Sequence, residues 1–454
     1  MHQDSEHQPW EELESIVDTG DSQKLDVFLE EMDSSEIVWA LSRLPEEDQS
    51  QILQMLPVED AAELVEALPE SQAVSLFQEL PPDRAADILS EMPSNERADL
   101  LGTLQEEGAE AILVRMDPEE AYEARQLASY PPDVAGGLMI TEFLAYEAHL
   151  TVGDVLEDFQ AYAEEYSDYD IQYTYVVSEG YILSGVLRLR DLLLAPRTRR
   201  IDELMISQPL HVEDATPLHK LGEFFDWHDF LGVPVTDAAG RLLGVVRRHD
   251  VEEALADRSE NDYLKSQGIV GGEELRTMPL LRRSSRRLSW LSINIVLNMI
   301  AASIIAVYQD TLSSVIALAV FLPIISDMSG CSGNQAVAVS MRELSLGLVK
   351  PFEVLRVWGK EISVGLINGI VLGLLLGLAA WIWKGNPFLG LVVASAMALN
   401  TVVAVSIGGT VPLLLKYINF DPALASGPIL TTITDMCGFF FVLSFATMML
   451  AWLI

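Results

Sequence analysis

The stretch Asp421-Pro422-Ala423-Leu424-Ala425-Ser426-Gly427-Pro428-Ile429-Leu430-Thr431-Thr432-Ile433-Thr434-Asp435 decides how this chain is built. An apolar run follows it to Ile454, so the carboxylate of Asp435 lies inside sequence long enough to cross a bilayer. An ionised carboxylate at that depth is costly and has to face a polar cavity or a partner. Hydroxyls at Ser426, Thr431, Thr432 and Thr434 surround it in the sequence.

Working outward, charge divides the chain. It holds 454 residues with 68 acidic and 28 basic side chains, a formal net charge of -40. Only seven of the acids and six of the bases lie from Leu288 onward, which leaves 61 against 22 before it. An acidic soluble part therefore precedes a nearly neutral apolar part. So negative a soluble part excludes nucleic acid as a partner and favours cations. The two cysteines, Cys331 and Cys437, both sit in apolar sequence and form neither a disulfide framework nor a zinc site. Met1-His2-Gln3-Asp4-Ser5 has no basic or apolar leader character, so no secretory signal is expected.

Five membrane spans are expected, at about 288–308, 313–341, 361–383, 388–415 and 424–453. Arg282, Arg283, Arg286 and Arg287 precede the first, and Lys350, Arg356 and Lys360 precede the third. The positive-inside rule then puts the N-terminus in the cytoplasm and the C-terminus outside, in the cell (plasma) membrane. Five helices are few for a self-contained path, so a two-fold homodimer in the lipid bilayer is expected. Span two carries Pro323, Asp327, Gly330, Gly333, Asn334 and Gln335; span four adds Asn400 and Thr401. Glycine and proline are expected to open span two so that carbonyls face a cavity. Gly365, Gly369, Gly373 and Gly377 in span three predict a close helix contact. With oxygen ligands and no membrane lysine or arginine to pair Asp435, the expected ligand set is Asp435, Thr432, Asn334 and Asn400, and the expected ion is Mg²⁺.

Before the membrane part, residues 1–130 repeat with a period of twelve: Leu44-Pro45, Leu56-Pro57, Leu68-Pro69, Leu80-Pro81 and Met92-Pro93. Each unit reads as a helix of about eight residues opened by proline and acids, stacking into a superhelix. Residues 131–257 hold two similar α/β units, with strands at 173–177, 183–187, 232–236 and 242–246. Residues 258–287 are a linker with a connecting helix between about 251 and 267 and glycines at Gly268, Gly271 and Gly272. The fold class is thus a multidomain membrane protein: a cytosolic α-superhelical repeat domain, a tandem α/β pair, a connecting helix and a five-helix transmembrane domain over 288–454. No nucleophile–base set or phosphate-binding glycine loop is present, so an enzyme is not expected.

The two α/β units resemble a tandem CBS pair. In nucleotide-binding CBS domains a Ser or Thr three residues before the final Asp helps hold the ribose. Here Arg188 precedes Asp191 and Arg247 precedes Asp250, which leaves only weak adenine nucleotide binding. With Tyr130-Pro131-Pro132-Asp133-Val134-Ala135-Gly136-Gly137-Leu138-Met139, the repeats, the five spans, and Asp421-Pro422-Ala423 with Ser426, Pro428, Thr432 and Asp435, the chain resembles the MgtE family of magnesium transporters over nearly its whole length. The resemblance implies a homodimeric Mg²⁺ channel gated by intracellular Mg²⁺, lined by the second and fifth spans, with Asp435 holding hydrated Mg²⁺. It also implies closure by Mg²⁺ between acidic faces, with Asp250 and Asp262 in that set and Glu59, Asp87 and Asp99 as repeat-domain candidates. One departure is Ser329-Gly330-Cys331-Ser332-Gly333, where the family has Gly-Gly-Asn-x-Gly; a thiol in place of an amide implies easier passage of Co²⁺. The alternatives are a carrier for Co²⁺ or another divalent coupled to an ion gradient, and a nucleotide-regulated membrane sensor.

Overall fold

The computed structural model describes residues 9–163, 166, 169, 172–269, 278 and 280–454. Its contacts divide into two units, Met1–Asp257 and Arg258–Ile454. Of the linker glycines expected above, Gly271 and Gly272 lie outside the described residues.

The twelve-residue period becomes a stack of short helices: Glu46–Met55, Val58–Glu66, Glu70–Glu79, Pro82–Glu91, Ser94–Thr103, Glu106–Leu113 and Pro118–Leu127. Proline disfavours helical backbone in the residue before it, so the helices ahead of a Leu-Pro or Met-Pro pair end before the proline, and the same corner recurs at Leu104-Gln105 and Met116-Asp117 without one. Leu56 is extended with ψ 155°, and Pro57 follows at the N-cap with ψ 157°. That extended corner turns the apolar side chain inward: Leu56, Leu68, Leu80, Met92, Leu104 and Met116 are all buried in one continuous core. Short helices expose unsatisfied terminal carbonyls. Arg84 covers those of the helix three units back, donating from Nε and Nη2 to Leu53 O at 3.0 and 2.8 Å and from Nη2 to Leu56 O. Three further helices, Pro9–Thr19, Ser22–Glu30 and Ser34–Leu41, extend the stack ahead of the prolines.

The α/β part holds two small sheets. In the first, β1 (Ala145–Glu147) runs parallel to β2 (Tyr173–Ser178), which pairs antiparallel with β3 (Ile182–Arg188) and then β4 (Ile206–Ser207). In the second, β5 (Val212–Glu213) runs parallel to β6 (Gly232–Thr236), and β6 pairs antiparallel with β7 (Leu242–Arg247). Both units shift register at the same place in the hairpin, at Val176/Val177 and at Val235/Thr236. A shared irregularity of this kind supports the duplication read from the sequence. The hairpin at Asp237–Gly240 forms as expected, with Gly240 at φ +81°. The helix after β7 is one piece, Arg248–Ser266. The connecting helix, expected at about 251–267, thus starts directly from the second α/β unit.

The second unit contains five apolar helices long enough to cross a membrane: Leu280–Val307, Phe321–Ser345, Val354–Lys384, Pro387–Tyr417 and Pro422–Met448. The glycine stripe of the third packs on the fourth as expected. A Cβ at Gly369 would lie 2.5 Å from Ala398 O, and one at Gly373 would lie 2.6 Å from Ala394 O. One expectation is overturned: Pro323, Gly330 and Gly333 do not open the second helix, which is continuous from Phe321 to Ser345. Pro323 sits in the first turn, where its missing N–H has no intrahelical partner to lose. Gly333 serves close packing instead, since a Cβ there would meet Leu430 at 2.8 Å and Ala404 O at 3.0 Å.

Candidate functional site

The fifth membrane helix starts on Asp421, whose side chain accepts from Ala423 N at 2.9 Å, with Pro422 next in the first turn. Lys265 of the connecting helix donates to the same carboxylate, Nζ to Oδ2 3.0 Å. Along the helix the hydroxyls turn their protons onto their own backbone: Thr431 Oγ1 to Gly427 O at 3.0 Å, Thr432 Oγ1 to Pro428 O at 2.7 Å and Thr434 Oγ1 to Thr431 O at 3.0 Å. A hydroxyl donates once and accepts twice, so the oxygens of the exposed Thr431 and the half-buried Thr432 keep lone pairs open, whereas Thr434 is fully buried.

Asp435 is half-buried, and its Oδ1 accepts from Ser326 Oγ of the second membrane helix. Sequence reasoning missed Ser326. A serine beside Asp327 gives no linear signal that it will meet a carboxylate 109 residues away. On the second helix Asp327, Cys331, Asn334 and Gln335 are all exposed. Residues 327, 331 and 334 follow the i, i+4, i+7 spacing and so share one helix face. Thr431 is exposed on the fifth helix.

Asn400 and Thr401 are placed differently. Both are 0 % exposed on the fourth helix. Thr401 donates to Met397 O at 2.8 Å, whereas the amide of Asn400 has no protein partner at either atom. Asn400 Nδ2 lies where a Cβ on Gly438 would come within 2.8 Å, so the fifth helix presses on it one turn beyond Asp435.

The acidic candidates of the first unit are scattered over separate helices. Glu59, Asp87 and Asp99 are exposed on Val58–Glu66, Pro82–Glu91 and Ser94–Thr103. Among the described residues no three His, Cys, Asp or Glu side chains converge closely enough to hold a metal. Desolvation by its surroundings, then Glu70, pushes the Asp99 carboxyl up to about 6. Asp250 is buried, and Arg247 grips both of its oxygens, Nε to Oδ2 and Nη2 to Oδ1 at 2.8 Å each. Arg188 pairs with Asp191 at 2.7 Å in the first α/β unit. Asp262 lies on the connecting helix, half-exposed. Glu96, which sequence reasoning did not single out, is pushed up to about 7 by burial and then by Glu66.

Three family profiles match the chain. That of the MgtE divalent cation transporters covers residues 322–445, that of the MgtE intracellular N domain residues 32–133, and that of the CBS domain residues 201–257. The magnesium transporter MgtE of Bacillus subtilis is 30 % identical over 336 residues, 74 % of this chain and 74 % of the relative. That of Thermus thermophilus is 34 % identical over 338 residues, again 74 % of each chain. Among solved structures, the cytosolic domain of the Mg²⁺ channel MgtE in complex with ATP is 32 % identical. It covers 53 % of this chain and 98 % of its own, at a TM-score of 0.49.

Proposed function

The chain belongs to the MgtE family of magnesium transporters, and from that premise we propose that it conducts Mg²⁺ as a homodimer, with Asp435 as the ion-binding group and the acidic cytosolic part as its Mg²⁺-dependent gate. One observation carries the reading. Asp327, Cys331 and Asn334 are exposed on one face of a membrane-length helix. Polar groups turned outward at membrane depth cannot be left against lipid. A second copy enclosing a water-filled path covers them, and the same path reaches Asp435 on the neighbouring helix.

The chemistry suits a hydrated divalent ion. Mg²⁺ gives up its waters reluctantly and is held through them by a few oxygens. Asp435 brings charge, and the hydroxyls of Thr431 and Thr432 and the amide of Asn334 bring acceptor oxygens. Asn400, enclosed in the protomer, supports the fifth helix rather than touching the ion.

Lys350, Arg356 and Lys360 ahead of the third helix, with Arg283, Arg286 and Arg287 in the first, orient the N-terminal domains to the cytoplasm and the C-terminus outward. Mg²⁺ entering from outside then reaches the acidic domains from the path itself. Asp250 and Asp262, with Glu59, Asp87 and Asp99, are the sensing carboxylates of this reading, and a preference of a few kcal/mol for the docked arrangement closes the gate. Adenine nucleotide binds weakly at most, because arginine occupies the closing aspartate in both α/β units.

Potential-driven Mg²⁺ uptake into vesicles reconstituted with Asp435→Ala tests the assignment. Uptake is lost while the variant still elutes as a dimer; wild-type uptake in that variant would remove Asp435 from the path. Neutralising Asp250 and Asp262 together weakens closure by internal Mg²⁺, and unchanged closure would clear both of sensing.

A further inference from the structure

Five carboxylates gather where the repeat domain meets the second α/β unit, and one arginine faces four of them. Glu66 and Glu96 come from the repeat helices, Glu142 from the segment before β1, and Asp250 and Glu253 from the connecting helix. Arg247, at the end of β7, is half-buried among them and feels the charge of Asp250, Glu96 and Glu142. Its fork closes on Asp250 with two bonds of 2.8 Å. The domains also touch directly beside it: Ser94 N donates to Glu142 Oε1 at 3.0 Å, Ser94 Oγ to Glu142 Oε2 at 2.8 Å, and Thr141 N to Ser94 Oγ at 2.9 Å. So many like charges repel unless a cation lies between them. No three of the described carboxylates converge in a metal-holding geometry.

We propose that Arg247 is a built-in countercation of this junction, holding the repeat domain against the second α/β unit with no metal bound, so that Mg²⁺ adds to a contact that is already partly made. A bidentate guanidinium occupies both Asp250 oxygens, so an ion arriving here displaces it or binds the remaining carboxylates. The inference deepens the sensing half of the proposed function and rests on it only for the role of Mg²⁺. Docking itself is read independently of conduction.

Hydrogen exchange on the full chain in detergent tests it, because the amides of Ser94 and Thr141 donate across the junction and report its opening. In chelator, wild-type protein protects both amides. Arg247→Met exchanges them at least about ten-fold faster in chelator and regains protection in millimolar Mg²⁺, since the exposed carboxylates now take the ion. Arg247→Lys, which keeps the charge and loses the fork, stays nearer to wild type. Equal protection in wild type and Arg247→Met without Mg²⁺ would overturn the proposal. So would fast exchange that Mg²⁺ fails to reverse, or that spreads to the β6 and β7 amides, for Arg247 would then be a packing residue. A channel inactive for reasons at Asp435 leaves these exchange rates as they are, so the two readings fail separately.

Discussion

Asp435 accepts from one serine of another helix, and that contact is where the proposed ion site can be disturbed most gently. Ser326→Ala removes the hydroxyl that fixes the carboxylate rotamer and leaves its charge. Mg²⁺ uptake should fall by about ten- to hundred-fold, the effect of one lost hydrogen bond to a charged group, with the amount of folded protein in detergent unchanged. A variant conducting like wild type would show that the serine does not orient the ligand. A second residue-scale case lies in the cytosolic part. Burial and then Glu66 raise the Glu96 carboxyl to about 7 from its ordinary value of 4.5. A raised carboxyl pKa means that ionisation opposes the folded arrangement: the penalty is absent below about pH 4.5 and complete above about pH 7. Glu96→Gln should therefore stabilise the protein in chelator at about pH 8, by on the order of 1–2 kcal/mol, and change little at about pH 4.5. Thermal unfolding at both pH values reads this, and a variant destabilised at the higher pH would contradict the sign.

Elements are decided by how closely they approach. The third and fourth membrane helices meet backbone to backbone, because glycines recur every fourth residue where the carbonyls of Ala394 and Ala398 pass. Lipid tails are as apolar as leucine, so packing rather than hydrophobic burial holds such a pair. Gly373→Leu puts side-chain atoms where Ala394 O stands 2.6 Å from a Cβ. It should cost at least about 1–3 kcal/mol, the usual range for overpacking, and appear as loss of monodisperse protein in detergent. In the second helix the same residue type has a different use from the expected one. Gly330 and Gly333 suggested an opened helix, yet the ladder is continuous because glycine permits a kink without imposing one. Leu430 and Ala404 occupy the space at Gly333.

For the whole molecule, the charge of -40 dominates. Nearly all of it lies before the membrane part, where self-repulsion favours looser arrangements and cations favour closer ones. Removing Mg²⁺ at low ionic strength should lower the thermal midpoint of the cytosolic part. Adding Mg²⁺ at 100 times its dissociation constant should return about 2.7 kcal/mol per site. Monovalent salt at equal ionic strength should recover only part of this, and equal recovery would mean general screening rather than bound divalent ions.

Read from residues alone, the repeat helices, the duplicated hairpins and the five spans could all be placed, because each depends on short-range rules: proline after leucine, alternation in a strand, apolar length. Asp435 stood out for the same reason, as a charge in a membrane-length run. What depended on residues distant in sequence could not be read there. The pairing of Ser326 with Asp435 joins two helices, and Asn400 is enclosed by packing that no local pattern encodes. Arg247 was visible as a residue at a nucleotide-binding position; only the fold surrounds it with carboxylates from four segments. Periodicity and composition determine which elements exist, and tertiary packing determines which side chains they bring together, because a contact between distant residues exists only once the chain has closed the loop between them.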